Sequence, residues 1–255
     1  MSQFPPRSIP ASFAARTGDG SSPLAARLGY LRKVYSLFTG GVASAIAGGL
    51  VALYSGAPVE ARTGAGPISL PPLVAFAVDH YVVTMLLYFG AFFAASSLRR
   101  TPGVNVLALF GYTFVTGLFV APSIFFAHLV ASHGAPLDPS PVRDAFLLTG
   151  ASFAGLTGYV FVSRRDFSFL GASLSMGLWV VLAAMLLSFF VHAAALSLGI
   201  ASVGVLLFSG YILYDTSRIL RDPTEDAVSA ALRLFLDVVN LFLFLLRILS
   251  SNRSR

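Results

Sequence analysis

The sequence predicts an all-α integral membrane protein with seven transmembrane helices. Of its 255 residues 56% are apolar and 11% are charged, whereas an average soluble domain is about 45–50% apolar and about 25% charged. Apolar runs bounded by proline, glycine or charge recur through nearly the whole chain, and about 20 apolar residues cross a bilayer as a helix. Seven such runs with short loops leave no room for a sizeable soluble domain.

The chain divides into a tail, a membrane domain and a short end. Residues 1–26 contain Pro, Ser, Gly and Arg without an apolar core of signal-peptide length, which predicts a disordered tail. Residues 27–250 form the predicted transmembrane domain, and residues 251–255 form a short C-terminal tail. In chain order, the predicted spans are 34–55, 80–98, 104–130, 142–162, 168–190, 193–214 and 230–249.

The first span carries small residues that would let another helix approach closely. Ala45 and Gly49 are four residues apart, which is the small-xxx-small spacing of packed membrane helices. The sequence favours a contact with another helix of the same chain over a dimer contact.

Basic residues near the span ends predict the orientation. If the spans alternate, four groups share one side: Arg27, Arg32 and Lys33; Arg99 and Arg100; Arg164 and Arg165; Arg218 and Arg221. Cytoplasmic loops retain positive charge, so the N-terminus is predicted to be cytoplasmic. Seven spans then place Arg253 and Arg255 outside, whereas a re-entrant last segment would place them inside.

Several function classes are excluded or disfavoured by what the sequence lacks. There is no cysteine, hence no disulfide, thiolate nucleophile or cysteine metal site. No HExxH motif occurs, and the two candidate serine motifs lack the second glycine of GxSxG. The net charge of +6 comes from residues at span ends and is not a nucleic-acid signal. We expect neither an enzyme nor a protein with a cofactor or a nucleic-acid partner.

The last predicted span has one polar face. At 100° per residue, a stripe about 80° wide contains Arg233, Asp237, Asn240, Phe244 and Arg247. A carboxylate at membrane depth costs roughly 2.5–3.5 kcal/mol on insertion scales, so such a face turns towards the bundle interior or a wet cavity. The C-terminal helix is therefore predicted to be central in the bundle.

A second aspartate ends the sixth span. Asp215 follows Tyr214 and stands three residues before Arg218. If the sixth and seventh helices are antiparallel neighbours, the side chains of Asp215 and Asp237 can meet. Two carboxylates in a poorly hydrated place cannot both ionise cheaply, so they would share a proton. Loss of that proton at higher pH would part the helices and attract cations, as a gate does.

Two other interpretations of the aspartates are open. Asp215 with Arg218, and Asp237 with Arg233, are spaced as static ion pairs on single helices, and the sequence gives this interpretation equal weight. Two intramembrane aspartates also occur in intramembrane aspartyl proteases. Those enzymes carry a glycine pair directly before the second aspartate, whereas Asp237 follows "LFL".

From residue 27 onwards the chain resembles the Bax inhibitor-1 family, also called the transmembrane Bax-inhibitor-motif family. The similarity includes "LRKVYSLF" in the first span and "DAFLLTGASFAGLTGYVF" in the fourth. The most specific motifs are "ILYDTSRIL" and "LFLDVVNLFLFLLRIL", in this order.

The resemblance implies a seven-helix fold with a central last helix and a pH sensor made by Asp215 and Asp237. It also implies a pH-dependent calcium leak, with calcium as the permeant ion passing near these carboxylates. A basic residue at the end of the second span would engage them, here Arg99 or Arg100. The supporting ion pairs and polar contacts are assigned to Arg218, Arg233, Asn240 and Tyr214.

The resemblance leaves a second function open. Eukaryotic members suppress cell death at the endoplasmic reticulum, and some bacterial members modulate a membrane-bound AAA protease, so a non-conducting regulator of a membrane protein partner is the alternative.

The high arginine-to-lysine ratio and compact loops are typical of a bacterial source, which predicts the bacterial inner membrane. Two features depart from the family pattern: the second span has no acidic residue, and Arg233 replaces a small polar residue.

Overall fold

The computed structural model describes residues 23–63, 66–98, 101, 103–132, 140–188, 190, 191 and 193–253. Within these ranges the chain forms eight helices and one pair of strands. In order they are α1 (Pro23–Tyr54), β1 (Val59–Thr63), β2 (Gly66–Leu70), α2 (Pro72–Asp79), α3 (Tyr81–Leu98), α4 (Val104–Ser132), α5 (Pro141–Ser163), α6 (Leu170–Ser188), α7 (Ala194–Arg221) and α8 (Ala227–Arg253).

Six of the described helices are long and apolar enough to cross a membrane, namely α1, α3, α4, α5, α6 and α7. The prediction of a multi-pass, all-helical membrane protein is therefore confirmed. Helix α8 is not among the six, so the predicted seventh span is not confirmed. It differs from them in carrying the polar stripe and in being more enclosed by the rest of the chain.

The connection between the first two spans has structure that the sequence did not predict. Strands β1 and β2 pair antiparallel, with Val59 opposite Leu70. Helix α2 follows directly after Pro71 and ends at Asp79, and the next residue, His80, has backbone angles of −115° and 47°, which are not helical. Leu70, Val74 and Ala121 are buried together, so this small unit packs on the second half of α4.

Helices α1 and α4 touch along their backbones. A Cβ atom at Gly48 would lie 2.1 Å from the Phe114 carbonyl oxygen, and one at Gly117 would lie 1.9 Å from the Ala45 carbonyl oxygen. Glycine is required at both positions because no side chain fits there. The small residues of the first span thus make a contact within the chain, as expected from their spacing.

Helix α8 is enclosed by four others. It packs against α1, α4, α5 and α7, whereas α3 packs mainly on α4 and α6 mainly on α7. Between Ala227 and Ser251 only Arg247 is exposed. Apart from Arg247, the polar groups of α8 therefore face protein, which is the arrangement that membrane helices with ionisable residues require.

Candidate functional site

The end of α7 and the start of α8 position the candidate site. Helix α7 ends at Arg221, and α8 begins after Asp226, whose carboxylate accepts hydrogen bonds from the backbone N–H and the hydroxyl of Ser229 (2.9 and 3.0 Å). This is a helix N-cap, which fixes where α8 starts. The short connection makes α7 and α8 antiparallel neighbours in extensive contact.

Asp215 of α7 and Asp237 of α8 lie side by side in this interface. Their residues are 3% and 6% exposed, and the two carboxyl groups are within interaction range of each other. Oxygen Oδ2 of Asp237 is buried and has no hydrogen-bond partner among the described residues. The structure thus brings together the two aspartates that the sequence singled out.

Arg233 links Asp215 to a third carboxylate. Its Nε donates to Asp215 Oδ1 (3.1 Å), while Nη1 and Nη2 donate to the two oxygens of Glu225 (2.6 and 2.7 Å). Arg218 adds a weaker contact from Nε to Glu225 Oε2 (3.4 Å). We call Asp215, Arg218, Glu225, Arg233 and Asp237 the acidic cluster. Two guanidinium groups there face three carboxyl groups.

The two ion pairs proposed from spacing are not those that form. Among the described contacts, Arg218 pairs with Glu225 and not with Asp215, and Arg233 pairs with Asp215 and not with Asp237. Long side chains on a helix lean towards its N-terminus. Arg233 therefore reaches back towards Glu225, eight residues earlier, and away from Asp237, four residues later.

The other predicted residues have separate partners. Asn240 donates from Nδ2 to the Leu236 carbonyl (2.7 Å), and Arg247 donates from Nε to the Ser197 hydroxyl (2.8 Å). The ring of Tyr214 lies against Gly171 of α6, so close that a Cβ there would be 3.0 Å from it. Arg99 and Arg100, the predicted partners from the second span, lie outside the described residues.

Sequence reasoning missed two members of the site. Glu225 lies in the connection, and no helical period relates it to Arg233. Tyr211 lies close enough to Asp215 and Asp237 to interact with both electrostatically. Tyr211 precedes Asp215 by four residues, so the same-face spacing of a helix would have found it.

The acidic cluster differs from a resident metal site. In the part of the chain that the structure describes, no three or more His, Asp or Glu side chains are grouped to hold a metal ion. Arg233 occupies the position between Asp215 and Glu225 that a bound cation would take. A cation that enters this region would therefore compete with a tethered guanidinium.

Comparisons with known proteins give the family. The family model described as Inhibitor of apoptosis-promoting Bax1 matches residues 27–254. Mouse protein lifeguard 4 is 34% identical over 97% of this chain and 95% of its own length, and Bax inhibitor 1 of Schizosaccharomyces pombe is 30% identical over 88% and 76%. An uncharacterized protein of Campylobacter jejuni is 32% identical over 89% and 90%. This chain therefore belongs to the Bax inhibitor-1 family of membrane proteins, which its motifs resemble.

Proposed function

We propose that this protein is a pH-sensitive leak for calcium, closed by a proton that Asp215 and Asp237 share. The observation that supports the proposal is the charge balance of the acidic cluster. Arg218 and Arg233 offset the charge of two carboxylates, and the third, Asp237, has a buried oxygen without a partner among the described residues. A buried carboxyl group whose oxygen lacks a hydrogen-bond donor is stabilised by keeping its proton. The proposed activity is transport and involves no enzymatic step.

The proposed gating follows from the same charges. The groups whose charges act on Asp237 are Asp215 on α7 and Arg233 on α8. When pH rises and the shared proton leaves, the acidic cluster carries a net negative charge. Repulsion between the two carboxylates then favours separation of α7 and α8 and entry of water and cations.

We further propose the membrane arrangement. In it, α8 is the seventh span, the N-terminus is cytoplasmic, and the acidic cluster lies at the cytoplasmic end of α7 in a bacterial inner membrane. The arginines at the end of α7 and the first basic residues of α1 support this side for the cluster. Arg99 or Arg100, which follow α3 in the sequence, would then approach the carboxylates from the same side.

Calcium flux into liposomes tests the proposal. Purified protein in vesicles loaded with a calcium-sensitive dye should admit calcium faster as the pH rises. Asp215→Asn and Asp237→Asn should each flatten this dependence, since neither leaves a carboxylate pair. Asp166→Asn, an exposed change at the same end of the bundle, is the matched control and should keep the wild-type profile. An unchanged pH profile in both cluster variants would overturn the sensor.

The second candidate is a non-conducting regulator that binds a membrane protein, such as a quality-control protease or a cell-death factor. It is favoured by the position of Arg233, which already fills the space between Asp215 and Glu225. Its ion pair with Asp215 holds α8 against α7. This function predicts no calcium flux in liposomes, together with one protein crosslinked to the chain in its native membrane. Flux without such a partner would contradict it.

A further inference from the structure

A lateral groove lies between α1 and α5, away from the acidic cluster. It encloses about 920 Å³, and its floor is formed by α4 and α8. Its lining is mainly apolar and includes Val42, Leu50, Phe125, Phe146 and Phe242. Helices α1 and α5 make few contacts with each other, so the space between them is open to the side. Leu50 and Phe146 are 51% and 56% exposed at this opening.

The length of the groove matches one leaflet of a bilayer. Along α5 the lining extends from Ser140, the residue before the helix, to Phe153, which is about 20 Å at 1.5 Å per residue. One leaflet contributes about 15 Å of hydrocarbon and is about 20–22 Å thick with its headgroups, so the groove spans a leaflet together with its headgroup region. Phe38 and Phe235 lie at the end of the groove inside the bundle, the deep end. Tyr54 lies at the other end, the shallow end.

The groove opens at the end of the bundle opposite the acidic cluster. The start of α1 lies at the cluster end, because Arg27 donates to the Leu220 carbonyl of α7. At the shallow end the lining becomes polar, with His128, Ser140 and Arg143. Arg143 contacts one oxygen of Asp144 from Nε and Nη2 (3.3 and 3.2 Å), yet its side chain is 62% exposed. Its guanidinium can therefore also contact a phosphate at the membrane surface.

We propose that the lateral groove binds one phospholipid, with an acyl chain between α1 and α5 and its phosphate at Arg143. An apolar wall at membrane depth excludes water, and a cation at the interface end complements a phosphate. A second copy of the chain is the competing occupant, and it would appear in the experiment below as a dimer without a preferentially retained lipid. The proposal does not depend on ion conduction.

Native mass spectrometry in detergent tests the proposal, with dioleoyl phosphatidylglycerol as the probe. Wild-type protein should retain one lipid more tightly than any further ones. Gly150 lines the groove, and a Cβ atom added there would meet no atom of a neighbouring element within 4 Å. Gly150→Leu should therefore fill the space without a clash and weaken binding at least fivefold. Gly155→Leu, equally open but outside the lining, should change binding less than twofold.

A second pair of variants keeps the test independent of the glycine substitutions. Phe146 lines the groove and Leu147 does not, although the two neighbours are 56% and 60% exposed. Phe146→Ala should weaken lipid binding several-fold, and Leu147→Ala should leave it unchanged. Equal losses in the two variants of either pair, or no preferentially retained lipid, would overturn the proposal.

The phosphate contact has its own readout. Arg143→Gln should weaken binding of dioleoyl phosphatidylglycerol at least threefold. Binding of dioleoylglycerol, which has the same chains but no phosphate, should be unaffected by this change. If Arg143→Gln weakened both lipids equally, or neither, the assignment of the phosphate to Arg143 would be wrong.

Discussion

Arg233 holds Asp215 and Glu225 together while standing one turn before Asp237. Its guanidinium donates three hydrogen bonds to two carboxylates, and its side chain is 30% exposed. Bidentate arginine–carboxylate pairs of this kind are stronger than single contacts. The residue thus sets both the local stability and the electrostatic field at the proposed sensor.

Removal of the charge of Arg233 should delay opening. In Arg233→Gln the carboxylates lose their nearest cation, so the shared proton is retained to higher pH. We expect the pH of half-maximal calcium flux to rise by about one unit and the free energy of unfolding to fall by about 1–3 kcal/mol. Arg247→Gln, on the same helix but exposed, is the control. If the pH of half-maximal flux fell in Arg233→Gln, the predicted effect of the Arg233 charge on the shared proton would be wrong.

Removal of the charge of Glu225 should do the opposite. In Glu225→Gln the two guanidinium groups have one carboxylate fewer to offset, so Asp237 ionises more readily. We expect the flux midpoint to fall by about one pH unit, as measured in the same vesicles. Asp226→Asn, one residue later and exposed, keeps the helix cap and should leave the midpoint in place. Midpoints that shift the same way in Glu225→Gln and Arg233→Gln would rule out the charge-balance mechanism.

The sequence indicated that Asp215 and Asp237 could lie close together, but it did not identify what surrounds them. The pairing follows from a short connection between two apolar helices, which forces them to be antiparallel. The partners of Arg233 depend on the direction in which its long side chain leans and on the path of the connection between α7 and α8. Neither of these leaves a periodic pattern in the sequence. Glu225 was missed for this reason.

At the scale of helices, α1 and α4 approach each other closely enough for their backbones to be in contact. It rests on Gly48 and Gly117, where a Cβ would meet a carbonyl oxygen of the facing helix. Such contacts stabilise membrane helices through van der Waals packing, because the hydrophobic effect does not drive helix association within lipid.

One methyl group at this contact should therefore be costly. In Gly117→Ala the helices must separate, and we expect the free energy of unfolding to fall by about 1–3 kcal/mol. Gly111→Ala, on the same helix with no atom near its Cβ, should be neutral or slightly stabilising, since alanine favours a helix. Thermal unfolding in detergent, followed by circular dichroism, compares the two variants. Equal midpoints would show that the contact is not tight.

Long elements were predicted more successfully than short ones. The second predicted span, 80–98, coincides with α3 at Tyr81–Leu98, because an apolar run ends where the charged residues begin. The strands and α2 were not predicted, since elements of five to eight residues are too short to give a clear period. Their structure depends on burial of Leu70 and Val74 against α4, which is a tertiary contact.

For the molecule as a whole, the proposed topology places the two ends of α8 on opposite sides of the membrane. A reporter enzyme that is active only outside the cytoplasm should be inactive when fused after Arg221 and active when fused after Arg253. A fluorescent protein that folds only inside should give the reverse pattern. The same result at both sites would mean that α8 does not cross, and the proposed seventh span would be abandoned.

The connection between α5 and α6 is fastened to the helix that carries Asp215. The backbone N–H of Phe167 donates to the Ser217 hydroxyl (3.2 Å), and Arg221 donates to the Arg164 carbonyl (3.0 Å). Ser217 is two residues after Asp215, so a displacement of α7 would carry this connection with it. Because the chain has no cysteine, one introduced at Ser168 would accept a single fluorophore. Its emission would follow helix movement directly, whether or not any ion crosses the membrane.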